Sequence, residues 1–241
     1  MPLTDKIEIP RRTMVLFFAI DTSGSMHGSK IGSVNTAIEE VIPAIKEVSD
    51  ENADAQIKIA VLEFSNGANW ITQGRPVEID QLRWNYLDAE GVTDLGEACK
   101  ALDEKLSTKA FMQEATGSFA PAIFLLSDGE PTDDWQSGLA KLRQNNWFKA
   151  GIKVAIAIGD DANKEVLKEF TGTMEAVLEV HNAKMLKKMI KFVSVRASQV
   201  ASKSSNVGAV SDEQKQHELN ESLQELVEEV AASPDNDQHD W

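Results

Sequence analysis

"FFAIDTSGSM", residues 17–26, decides how this chain is read. Four apolar residues run into Asp21, and Thr22, Ser23, Gly24 and Ser25 follow, all small and three of them with hydroxyls. A buried strand with that ending fits a nucleophile, a phosphate cradle, an acid–base pair or a metal cup, and the rest of the chain has to choose among them. The strand itself, "MVLFFAI" at 14–20, is apolar throughout, as expected of a strand covered on both faces. Two similar runs lie further on, "PAIFLLS" at 121–127, which ends on Asp128, and "IKVAIAIG" at 152–159. A strand is also predicted for "QIKIAVLEFS" at 56–65, and the turn signal Asn66-Gly67 predicts a hairpin to an edge strand, "ANWITQ" at 68–73.

Between these runs the apolar spacing becomes helical. Helices are predicted over 30–52, 91–108, 133–148, 163–172 and 183–200, with a short strand at 174–180. Pro43 should kink the first of them or weaken one turn. Asp133 fits the N-cap of the third, whose Trp135 and Trp147 are expected in the core. Residues 75–90 carry no legible pattern. Alternating strands and helices predict an α/β fold, a doubly wound, mostly parallel sheet with helices on both faces.

The chain has 241 residues, 42% of them hydrophobic, enough for one domain of about 200 residues. A formal net charge of −15 argues against nucleic acid and against anionic membrane surfaces as partners. The single cysteine, Cys99, allows neither an internal disulfide nor a cysteine zinc site and is read as packing. "MVLFFAI" is too short for a signal segment or a membrane span, so a soluble, cytoplasmic protein is expected. Residues 1–11 are read as an extension, 12–200 as the domain and 201–211 as a linker. An acidic tail with an amphipathic helix is read over 212–241. From Lys203 to Trp241 there are 10 acidic and 2 basic residues, and Leu219, Leu223, Leu226, Val227 and Val230 recur at helical spacing.

In open α/β sheets, ligands sit outside the carboxyl ends of the strands, near the point where strand order reverses. If the strands ending on Asp21 and Asp128 are neighbours, the two carboxylates share one crevice. Unpaired, they would repel until one kept its proton, and a divalent cation removes the conflict. Asp21, Ser23 and Ser25 form D-x-S-x-S on one tight loop. Thr93, in "GVTDLG" before a helix, can bring its hydroxyl to the same crevice. These five donors are all hard oxygens, which suits Mg²⁺ or Mn²⁺ and not Zn²⁺. Only two of them carry charge, so a bound ion stays electrophilic and can accept a partner's carboxylate. Asp94 is read as a charge at a helix N-terminus, and His27 and Glu130 as solvated residues at the rim.

At these residues the sequence resembles a von Willebrand factor type A (vWA) domain. The D-x-S-G-S loop, the Thr in a Gly-flanked turn and the Asp ending a later strand match its metal-ion-dependent adhesion site (MIDAS). The resemblance spans about residues 12–200. It implies a sheet of about six strands with one antiparallel edge strand, and direct or water-mediated metal contacts from Asp21, Ser23, Ser25, Thr93 and Asp128. A narrower resemblance, in "IDTSGSM", "VNTAIEEV" and above all "SDGEPTDDW", is to the bacterial TerY-like branch associated with tellurium resistance. It implies stress or phosphorylation-linked signalling beside a Ser/Thr kinase and a PP2C-type phosphatase. This chain departs from that branch in two places. It has Gly91-Val92-Thr93 where Gly-Gly-Thr is common, and an acidic tail where a Cys-rich module can stand.

The expected function is that of a metal-dependent protein-binding module, not an enzyme. A metal-dependent phosphatase or hydrolase using the strand-end Asp is the alternative. Against it, haloacid-dehalogenase phosphatases want D-x-D where this chain has Ser23, and no P-loop occurs. A scaffold with a vestigial site is the third reading.

Overall fold

The computed structural model describes residues 11–53, 55–113, 117–201 and 212–231. Among the described residues seven strands and seven α-helices follow in this order: β1 (Arg12–Asp21), α1 (Ser29–Glu51), β2 (Ala55–Ser65), β3 (Gly67–Trp70), β4 (Val77–Glu78), α2 (Leu95–Lys105), β5 (Ala122–Ser127), α3 (Trp135–Leu142), α4 (Asn146–Ala150), β6 (Ile152–Ile158), α5 (Lys164–Thr171), β7 (Val177–Val180), α6 (Ala183–Ala201) and α7 (Asp212–Ala231). The sheet runs β3-β2-β1-β5-β6-β7. The β1–β2, β1–β5, β5–β6 and β6–β7 pairs are parallel, and β3 closes the edge antiparallel to β2. This is the expected architecture with one addition. The two-residue β4 also pairs antiparallel with β2, in the region where the sequence shows no pattern.

β1 shows why its sequence is apolar throughout. Met14, Leu16, Phe18 and Ile20 face one layer, with α1, α6 and α7. Val15, Phe17 and Ala19 face the other, with α2 to α5. Both layers are dry, so the strand has no polar side to show. The helix α1 continues through Pro43, which lies on its exposed face, so the carbonyl left without its usual N–H partner is open to water.

The helix predicted over 133–148 is two helices, α3 and α4. Asn145 makes the break. Its Oδ1 accepts from Trp147 N (2.9 Å) and Phe148 N (3.4 Å), and its Nδ2 donates to Leu106 O (3.0 Å) and to Asp103. These bonds compete with helix continuation. Trp135 and Trp147 each pack, half-buried, against the second layer, as expected of core residues. Cys99 is buried in that layer, and burial pushes its thiol pKa up to about 12, consistent with packing.

The helix predicted in the tail is docked onto the domain. In α7, Leu219, Leu223 and Leu226 are buried in the first layer, while Val227 stays exposed. Gln216 bonds both backbone groups of Lys153 at the start of β6, and Lys188 pairs with Glu229 at 2.8 Å. The expected linker, apart from Ala201, and the last part of the tail lie outside the described residues, as does the N-terminal extension except Arg11.

Candidate metal centre

The sheet order reverses between β1 and β5, so their carboxyl ends flank one crevice. Ile20 sits opposite Leu126. One step further the same register sets Ser127 beside Asp21, and Asp128 follows just past the strand. The Ser127 hydroxyl donates to Asp21 Oδ2 at 2.6 Å and accepts from Gly129 N at 2.7 Å. Ser23 N donates to Asp21 Oδ1 at 2.8 Å, the local turn to which an Asp lends itself. Ser23 Oγ and Ser25 Oγ lie 3.0 Å apart.

The loop is tied down on both sides. Thr22 N and Oγ1 both donate to Phe64 O at the end of β2, at 2.9 and 3.2 Å. Glu90 N donates to Thr22 O at 2.8 Å and Gly24 N to Gly91 O at 3.0 Å. These bonds bring the Gly91-Val92-Thr93 turn against the D-T-S-G-S loop. Thr93 is buried, and its backbone is stitched to Thr132: Thr93 N donates to Thr132 Oγ1 at 3.1 Å, and Thr132 N to Thr93 O at 2.9 Å.

Two acidic residues have partners other than those expected. Asp133 does not cap the helix that follows it. Its two oxygens accept from Gly96 N (3.0 Å) and Glu97 N (3.1 Å), capping α2 from across the loop, while Asp134 caps α3 through Ser137 N. Asp94 stands at the N-cap position of α2, where its reading as a helix charge puts it, and its side chain also accepts from Gly67 N at 2.7 Å and pins the β2–β3 turn. His27 and Glu130 are exposed, as expected.

The two carboxylates are both buried, at 0% exposure for Asp21 and 3% for Asp128. Burial pushes the Asp21 pKa up to about 6, against its bonds to Ser127 and Ser23. The repulsion from Asp128 acts in the same direction but is the smallest cause. Desolvation, not the repulsion expected from the sequence, is therefore the main cause of the raised Asp21 pKa. Asp128 Oδ1 is buried and has no hydrogen-bond partner. Its other oxygen, Oδ2, accepts from the Lys30 ammonium at 3.2 Å, and Lys30 also reaches Asp161 Oδ1 at 3.0 Å. Burial pulls the Lys30 pKa down, but the bonds to Asp161 and Asp128 outweigh it and hold the group above the ordinary lysine value. The Lys30 bond holds the Asp161 carboxyl below its usual range.

A buried carboxylate oxygen without a partner is costly and points to something that completes it. Among the described residues no three His, Cys, Asp or Glu side chains cluster as a metal site. Ser23 and Ser25 on the D-x-S-x-S loop and Thr93 on the turn bonded to it add hydroxyls to the two carboxylates, and such a donor set, all oxygen with two charges, fits a hard divalent cation. Lys30, Ser127, Thr132 and the reach of Asp133 were not legible in advance.

The family model of the von Willebrand factor type A domain matches residues 16–192. The chain belongs to that family. Type A domains are metal-dependent protein-interaction modules, and the fold agrees with solved members. Proximal thread matrix protein 1 from the mussel byssus aligns with a TM-score of 0.56 and 16% identity over 78% of this chain and 48% of that one. The same protein "with zinc occupied MIDAS motif" aligns at 0.52 and 19%, over 78% and 46%. The ArnB paralog VWA2 from Sulfolobus acidocaldarius aligns at 0.53 and 18%, over 77% and 45%. This type A chain spans under half the length of these proteins. No curated protein matches it. Among the described residues no helix is long and apolar enough to cross a membrane.

Proposed function

We propose that this type A domain binds a protein partner through a divalent ion, Mg²⁺ or Mn²⁺, held by Asp21, Ser23, Ser25, Thr93 and Asp128. The observation that carries the reading is the unpartnered, buried Oδ1 of Asp128, at the strand end beside Asp21 and the hydroxyl loop. When bound, the ion supplies a Lewis acid for a carboxylate of the partner. The chain's own residues do the rest. Ser127 and Ser23 N fix both oxygens of Asp21. The stitches from Thr22 to Phe64 and from Thr93 to Thr132 hold the two loops of the cup in register. The adhesion site of the mussel protein takes zinc, but the all-oxygen donors here favour the harder cations.

The finer reading is a cytoplasmic member of the TerY-like branch, acting in tellurium resistance or related stress signalling with a Ser/Thr kinase and a PP2C-type phosphatase as partners. Its support is "SDGEPTDDW": Ser127, Asp128, Thr132, Asp133 and Asp134 of that motif all make contacts at or around the cup. We also propose 12–200 as the domain proper, with 212–231 as an added helix.

The test is a calorimetric titration of the chain with MgCl₂ and MnCl₂, followed by capture of the kinase and phosphatase in Mg²⁺ against EDTA. Saturable binding of one ion by a folded chain is expected. A folded wild-type chain that binds neither ion would end the proposal. A chain that binds the ion but captures neither enzyme would end only the finer reading.

A further inference from the structure

Lys30 lies in the first turn of α1 yet is only 8% exposed. Lysines so placed normally extend their heads to water. Here three elements meet around the ammonium: α1, the end of β5 through Asp128, and the turn after β6 through Asp161. The seat is shaped for it. Gly159 has φ +93°, and a Cβ at that position would stand 2.8 Å from Lys30 Cε and 3.0 Å from Nζ. A side chain there would collide with the lysine or push it out.

The placement changes the charge balance of the cup. Asp161 shares the Lys30 ammonium at 3.0 Å but is 75% exposed at its side chain, so water weakens its field at the cup and it offsets the lysine charge only in part; Glu90, Glu130 and Asp160 are exposed and screened by water and salt. The buried charges are Asp21, Asp128 and Lys30. With two carboxylates alone, a divalent ion would bring the cup to neutrality by itself. With the ammonium present and Asp161 offsetting it only in part, the loaded cup keeps a residual positive charge, which a further anion neutralises.

We propose that Lys30 is the residue that makes the loaded cup require an anionic ligand. It weakens retention of the ion alone and strengthens retention of the ion together with a carboxylate, so the two bind cooperatively. This rests on the metal reading of the cup given above. Lys30 touches neither the ion nor the ligand in this scheme and acts through Asp128 and through its charge.

The experiment uses the full chain, MnCl₂ and sodium acetate. Mn²⁺ affinity is measured by calorimetry with and without acetate, and acetate binding by the relaxation that protein-bound Mn²⁺ induces in the methyl protons. The variants are Lys30→Met, Lys30→Gln, which keeps a hydrogen-bond donor without the charge, and Lys30→Arg, which keeps the charge. Circular dichroism checks the fold of each. A nearby unit charge at intermediate dielectric predicts that Met and Gln raise Mn²⁺ affinity about ten-fold, and that acetate then no longer raises it further. Arg should behave as wild type. If Met and Gln bind Mn²⁺ no more tightly, or if acetate promotes Mn²⁺ binding equally in all four chains, the role given to Lys30 is wrong and the metal cup stands. If wild type binds no Mn²⁺, both fall together.

Discussion

Asp21 and Asp128 end neighbouring strands, and both are buried, but they are held in opposite ways. Asp21 has a neutral donor on each oxygen, Ser23 N and the Ser127 hydroxyl. Asp128 has a cation on one oxygen and nothing on the other. The first is fixed by neutral dipoles and carries the cost of its burial as a raised pKa. The second has its charge balanced by a lysine and keeps one oxygen in reserve. The difference teaches that two identical side chains at equivalent strand ends need not be interchangeable. One serves as a fixed wall of the cup and the other as the position from which a bond is missing.

The sharpest way to break this comparison is Asp128→Asn. It keeps an acceptor for Lys30 but removes a charge and the reserve oxygen. Divalent binding should fall by about 100-fold or more, with little change in melting temperature, because two charged donors sharing one cation each contribute strongly. Calorimetry beside thermal unfolding checks this, and near-normal metal affinity would refute the asymmetry.

The next largest effect is on pH. The folded-state pKa of Asp21 is about 6 against an ordinary 3.8, so the folded, metal-free chain holds this proton more tightly than the unfolded one. The proton's contribution to stability is full below about 3.8 and is lost as pH rises through about 6, at most about 3 kcal/mol. Urea unfolding in EDTA should show this component in wild type and lack it in Asp21→Asn. Metal affinity should move the other way and fall as pH drops through about 6, as the proton competes for the same carboxylate.

Ser127→Ala removes the donor to Asp21 and the acceptor of Gly129 N, leaving buried polar groups unpaired. A stability loss of about 1–3 kcal/mol is expected in denaturant melts. Metal affinity should weaken too, since the Asp21 pKa would rise further. The smallest effect is expected from Asp133→Ala, which uncaps α2 at a cost of about 1 kcal/mol. It should lower metal affinity only several-fold, by loosening the turn that carries Thr93.

The contrast also explains what could be read from the sequence. Asp21, Ser23 and Ser25 are legible because they are adjacent on one loop, and Asp128 because an apolar run stops at it. The parallel sheet follows from strands dry on both faces. Lys30 was not legible because a lysine in a helix's first turn ordinarily reads as solvated, and only the fold brings Asp128 and Gly159 to it. Ser127 passed for the last residue of a strand until its register with Asp21 was known. Asp133 carried a cap signal, but capping can act across elements, and the sequence does not say which helix is capped. The helix break at Asn145 rests on bonds to Asp103 and Leu106, about 40 positions away. A strand as short as β4 leaves no periodicity to detect.

The docking of α7 has a practical side. This helix starts beside the first residues of β6 and finishes beside the early turns of α6, which itself begins at the carboxyl ends of the strands. It therefore carries the chain from the back of the sheet to the front. Its last described residue, Ala231, therefore lies on the side of the sheet that carries the cup. A fluorophore attached at Ala231 would stand on the same side of the sheet as an arriving partner, and a surface tether at that point would turn this side toward the surface. A tether entering at Arg11, ahead of β1 on the opposite side, would leave that face open.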